Sequence, residues 1–91
     1  MTDDQILNNR DDENMIISPH LWPISSVLPL KHRYQRDEKG WAKLGFVLRV
    51  NPLYVYVGCL DVYFSGGDIS QLPAERFRSA KEMVEKGWVV D

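Results

Sequence analysis

The sequence predicts a single small α+β domain: a three-stranded antiparallel meander with a C-terminal helix and a proline-rich strap packed on one face. Three observations carry this reading. Residues 44–50 (LGFVLRV) and 53–60 (LYVYVGCL) each alternate residue types with period two. Residues 28–35 (LPLKHRYQ) alternate as well, and a turn sequence, Asp37-Glu38-Lys39-Gly40, joins them to the first stretch. Near the C-terminus, Ser79-Ala80-Lys81-Glu82 matches a helix capping box, and Gly87 suits the left-handed stop that follows such a helix. The 91 residues, 44% hydrophobic and 11% aromatic, suit one folded domain with one modest core.

Residues 1–14 (MTDDQILNNRDDEN) carry five acidic side chains against Arg10 alone, whereas residues 15–91 carry ten basic and eight acidic ones. With only Ile6 and Leu7 as apolar anchors, this leader reads as a disordered acidic tail, with at most a helical turn after Thr2. Residues 15–91 then form the domain. A solubilising tail is the simplest role; an acidic arm folding over the basic part of the domain is the functional alternative.

Residues 16–29 (IISPHLWPISSVLP) are punctuated by Pro19, Pro23 and Pro29, each of which fixes its own backbone and biases its predecessor toward extended structure. This segment reads as an irregular strap whose Ile16, Ile17, Leu21, Trp22 and Ile24 cover one end of the core. Its proline spacing lacks the PxxP repeat that proline-recognising grooves read.

Strands are expected over about 27–36, 41–50 and 53–62. A loop at Asn51-Pro52 pairs Val50 with Leu53, Leu48 with Val55, Phe46 with Val57 and Leu44 with Cys59, so that every apolar pair falls on one side. The three-residue loop Glu38-Lys39-Gly40 pairs Tyr34 with Leu44, His32 with Phe46 and Leu30 with Leu48. A four-residue loop instead turns Lys31 and Arg33 toward the core, and burying unpaired charge is costly. The helix covers at least 80–86 or extends back to residue 74, against which residues 75–78 read more naturally as partly extended. Residues 88–90 return to the core as a short strand or strap.

In this register the outer sheet face carries Lys31, Arg33, Lys43, Arg49, Tyr54 and Tyr56, with no acidic residue among them. These six are the candidate binding residues. Cations and aromatic faces together are what single-stranded nucleic acid needs, yet lysine, arginine and tyrosine also suit any solvated strand or a protein partner's surface. The favoured reading is therefore a small non-enzymatic binding module that recognises a protein through the outer face or an exposed sheet edge. Pairing of residues 53–60 or 27–35 with their counterparts offers a route to a homodimer. Single-stranded nucleic-acid binding, masked by the acidic tail, is the alternative.

Chemistry-bearing residues are sparse. His20 and His32 lack the close spacing of a zinc site, so no metal is expected. His32 reads as a hydrogen-bonded packing residue, Cys59 as a core-facing small hydrophobe, and Asp61 as a turn or cap residue. The pair Gly66-Gly67 reads as a turn, since phosphate-loop and dinucleotide patterns are missing. No catalytic group or cofactor site is assigned. A lone cysteine, no signal-like N-terminus and no apolar run near the roughly 20 residues of a membrane span point to a reducing, cytoplasmic setting without a membrane partner. No motif ties the chain to a named family.

Overall fold

A computed structural model describes residues 3–91, with side chains from residue 10 onward. Helix α1 (Asp3–Ile16) leads through a 3-10 turn (Pro19–Leu21) into β1 (Val27–Arg36), β2 (Ala42–Leu48) and β3 (Asn51–Val57). The one-turn helix α2 (Asp61–Phe64) and a second 3-10 turn (Ile69–Gln71) precede β4 (Ala74–Arg76), helix α3 (Ala80–Glu85) and β5 (Trp88–Val90). The sheet is antiparallel throughout, in the order β4-β3-β2-β1-β5. The expected three-stranded meander is thus its centre, and two short strands extend it on either side.

Residues 3–14 differ from the disordered tail expected of them; residues 1–2 of that tail lie outside the described residues. The run from Asp3 to Ile16 has no proline or glycine to interrupt a helix. Its last turn is held by buried Ile16, half-buried Met15, and the Trp22 indole N–H, which donates to the Met15 carbonyl at 2.6 Å. Of the proline strap, Ile16 and Trp22 enter the core, while Ile17, Leu21 and Ile24 stay exposed. Three closely spaced prolines leave the strap too angular to lay every apolar side chain on one surface.

The main core lies on one face of the sheet. Leu28 pairs with Val47 and Val47 with Val55, and these pack with Leu30, Trp88, Ile16, Trp22 and the α3 residues Ala80, Met83 and Val84. Helix α3 starts at Ser79 as expected, its Oγ accepting the Glu82 N–H, but the Glu82 carboxylate returns to the Arg78 N–H rather than to that of Ser79, so the capping box closes one residue early. It stops at Gly87, whose φ of 112° is open to glycine. The residues just before it are extended, as β4.

The first hairpin turn forms as its sequence predicts. Gly40 has φ 85°, the Asp37 N–H donates to the Trp41 carbonyl, and Asp37 Oδ1 accepts the Lys39 and Trp41 N–H groups. Arg36 accordingly faces Ala42, but further along Lys31 faces Leu44, Pro29 faces Phe46 and Val27 faces Leu48. The expected Tyr34/Leu44, His32/Phe46 and Leu30/Leu48 pairs do not form. Residues 32–35 of β1 stand against Lys43 alone, a bulge that shifts the register by an odd number and turns β2 over.

The second hairpin shifts in the same sense. Its loop is Arg49-Val50 rather than Asn51-Pro52, and Val47, Phe46 and Gly45 face Val55, Tyr56 and Val57. Strand β3 ends at Val57, so residues 58–62 leave the sheet and Cys59 is exposed rather than core-facing. Both hairpins move together because β2 has one preferred side. A Cβ at Gly45 would sit 2.8 Å from the Tyr56 carbonyl oxygen and 3.0 Å from the Trp88 ring. Gly45 must therefore lie beneath that indole, and Phe46 is sent to the opposite face. Strands β1 and β3, expected as edges for dimer pairing, are interior; the edges are β4 and β5.

His32 holds the bulge. Its ring is buried edge-on against Trp88, with centroids 4.9 Å apart. Nδ1 accepts the Tyr34 and Gln35 N–H groups at 3.1 and 3.0 Å, two donors that the interrupted ladder leaves without a strand partner. The neutral ring therefore carries its proton on Nε2. Glycine at position 87 makes room, since a Cβ there would meet His32 Cε1 at 2.5 Å.

Burial, and then the Lys43 charge, depress the His32 pKa below its ordinary 6.5, outweighing the Lys86 carbonyl that pulls the other way. Between the depressed folded value and 6.5 the unfolded chain holds a proton that the folded chain refuses. Stability from this residue is thus complete above pH 6.5 and falls as pH drops through that window. Urea unfolding across this range should show the loss in the native chain, and a His32→Gln variant should lack it.

Candidate functional site

The reversal of β2 creates a second packed layer. Phe46 is fully buried on the face away from α3 and stacks on Tyr56, with centroids 5.4 Å apart and planes 19° from parallel. Tyr56 meets Tyr54 edge-on at 5.1 Å, Phe46 meets Tyr63 at 6.1 Å, and Tyr63 meets Phe64 at 5.4 Å. Five rings thus run in unbroken contact from β3 across β2 to α2. At one end the Arg76 guanidinium lies 5.9 Å above the Tyr54 ring; at the other, Phe64 is 57% exposed. Leu44, on the same side of β2 as Phe46, is exposed beside them.

Local sequence places α2 on this face. After Gly58, residues 59–64 (CLDVYF) make a turn and one helical turn, and the Tyr63 hydroxyl donates to Ser26 Oγ at 3.1 Å just ahead of β1. Ser65 to Asp68 then reverse the chain. Gly66 adopts φ 77°, and the Asp68 carboxylate accepts the Ser70 N–H to cap the following 3-10 turn. The Ser70 hydroxyl and amide, both donating to Asp68 Oδ1, hold its carboxyl below its ordinary range. The glycine pair serves a turn. Asp61 opens α2, where its carbonyl accepts the Ser65 N–H.

The six candidate residues do not form one patch. Tyr54 and Tyr56 belong to the aromatic row. Lys31 faces Leu44, and is exposed on the same side of the sheet. Lys43 follows the parity of Gly45 and Val47 to the other side, where its Nζ donates to Gln35 Oε1 at 3.1 Å. Arg49 sits in the β2–β3 turn, its backbone N–H on the Ser26 carbonyl. Arg33 lies at the bulge, with its N–H on the Gly87 carbonyl. The aromatic partners Phe46, Tyr63 and Phe64 escape the sequence reading because it assigns Phe46 to the main core and continues a strand to residue 62.

A second feature lies at the opposite end of the sheet. An open groove of about 550 Å³ runs between α1 and the β1/β5 edge, lined by Asp11, Asp12, Lys31, Arg33, Arg36 and Val90 among others. The Val90 N–H near the Asp12 carboxylate favours its charged form. Burial raises its pKa above the ordinary 3.8, against the pull of that N–H and of the Arg33 and Lys31 charges. The acidic N-terminal segment therefore reaches the basic stretch of β1.

Among the described residues, no group of three or more His, Cys, Asp or Glu side chains is arranged to hold a metal ion. No helix of the described residues is long and apolar enough to cross a membrane. No family model matches the chain, and neither a curated protein nor a solved structure gives a match.

The row of rings and the displaced lysine make opposite claims on stability. Tyr56→Ala removes a stacked, half-buried ring and should cost about 1–3 kcal/mol. Lys43→Ala should stay within about 0.5 kcal/mol. Chemical unfolding of the two variants beside the native chain measures both.

Proposed function

We propose that this chain is a small non-enzymatic binding module that recognises a protein partner through its aromatic sheet face. The observation that carries the proposal is the unbroken row of five rings, with Arg76 at one end and exposed Phe64 at the other. Aromatic side chains and arginine dominate the anchor positions of protein interfaces, because they bring large contact area at low entropic cost. A single helical turn leaves part of the row accessible.

Single-stranded nucleic acid fits the same face less well. Stacking needs an open ring face, whereas Tyr56 is stacked on Phe46 and Tyr54 lies under Arg76. Lys43 has also left this side of the sheet.

Affinity capture from the source cell, with the native chain and the variants Phe64→Ser and Arg76→Glu, tests the proposal. Both substitutions are at exposed positions, so the fold should persist and melting temperatures should fall only slightly, through the lost ring contacts. A protein retained by the native chain and lost from both variants supports an aromatic interface. Equal retention by all three, or oligonucleotide binding that weakens steeply with salt, would count against it.

A further inference from the structure

Strand β5 ends the sheet, and its outward backbone groups face α1 rather than another strand. The Gly87 carbonyl and the Asp91 N–H point to β1, so by alternation Trp88 and Val90 direct theirs to the free edge. The Asp12 carboxylate of α1 lines the groove beside this edge, together with Val89 and Val90. A carboxylate side chain thus flanks the edge along which a sixth strand would run.

The surroundings of that carboxylate are cationic. Lys31 and Arg33 act on it from β1, and Arg36 lines the same groove beyond the bulge. Asp11 lies beside Asp12 and repels it. Burial further disfavours the Asp12 charge, so α1 fills this groove with a group that is imperfectly accommodated there. Among the described side chains of α1, the apolar anchors are Met15 and Ile16 in its last turn. Asp11 and Asp12 therefore sit a turn before the point where these two side chains enter the core.

We propose that the groove along β5 is a binding site for an extended acidic peptide segment of a partner, and that α1 occupies it in cis through Asp11 and Asp12. The incoming strand adds to β5 through backbone hydrogen bonds, and its acidic side chains meet Lys31, Arg33 and Arg36. Nucleic acid shares the charge, but it has no backbone to pair with a strand edge. The outward donors of β5 therefore favour a peptide.

Fluorescence anisotropy of a short labelled peptide of alternating glutamate and threonine, titrated with the full chain at low salt, tests this site. Asp11→Asn with Asp12→Asn keeps the helix while removing the competing charges, and should tighten binding roughly tenfold. Adding Lys31→Glu and Arg36→Glu to that variant should abolish binding. The Val90 amide resonance should shift as the peptide is added. Unchanged or weaker affinity in the Asn variant, or indifference to the Lys31 and Arg36 substitutions, would overturn the proposal. So would tighter binding of a thymidine oligonucleotide than of the peptide to the Asn variant, since the site would then read phosphate rather than a strand.

Discussion

The His32 imidazole accepts two backbone N–H groups at the point where β1 breaks away from β2, and the arrangement of the sheet follows from that one acceptor. Four residues of β1 pass a single residue of β2 there. Backbone donors that lose their ladder partners call for another acceptor, and here the bonds they make are part-buried. Nδ1 supplies it, provided the ring stays neutral. The ring in turn rests on Gly87 and Trp88, which ties the bulge to the end of α3 and the start of β5. One side chain thereby couples the central hairpin to the outer strand.

Turning β2 over gives the protein two packed faces where a simple meander has one. Val47 joins the main core and Gly45 admits the Trp88 ring, while Phe46 seeds the aromatic layer with Tyr56 and Tyr63. A sheet with apolar residues on both sides must cover both, and α2 is a short cover. The aromatic face is consequently incompletely covered, with Phe64 and Leu44 exposed, and the groove beneath α1 brings together two acidic and three basic side chains. The two candidate surfaces lie at different ends of the sheet, the aromatic row across β3 and β2 and the groove along β1 and β5.

Much of this was legible in the sequence. The Asp37–Gly40 turn, the Ser79 capping box, the Gly87 stop and the buried role of His32 follow from local chemistry, which the rest of the fold does not override. Register was not legible, because LGFVLRV is apolar at both parities: Val47 on one side, Phe46 and Leu48 on the other. Alternation fixes a register only where one face is polar. The informative residue was Gly45, whose lack of a side chain in mid-strand marks a close approach. Helix α1 was hidden by its polarity, since its described anchors, Met15 and Ile16, fall beyond the acidic run. The six candidate residues were drawn from one assumed face, so an odd register shift scattered them.

The displaced pairing of β1 with β2 is the claim on which the aromatic surface rests, and cross-strand Hα–Hα nuclear Overhauser effects test it directly. Ser26 and Arg49 share a ladder hydrogen bond, so Val27/Leu48 and Lys31/Leu44 are the non-hydrogen-bonded pairs whose Hα atoms come closest. Strong effects between Val27 and Leu48 and between Lys31 and Leu44 are the predicted result. Effects linking Leu30 to Leu48 and Tyr34 to Leu44 instead would show an unbroken hairpin without the His32 bulge, and would contradict the account.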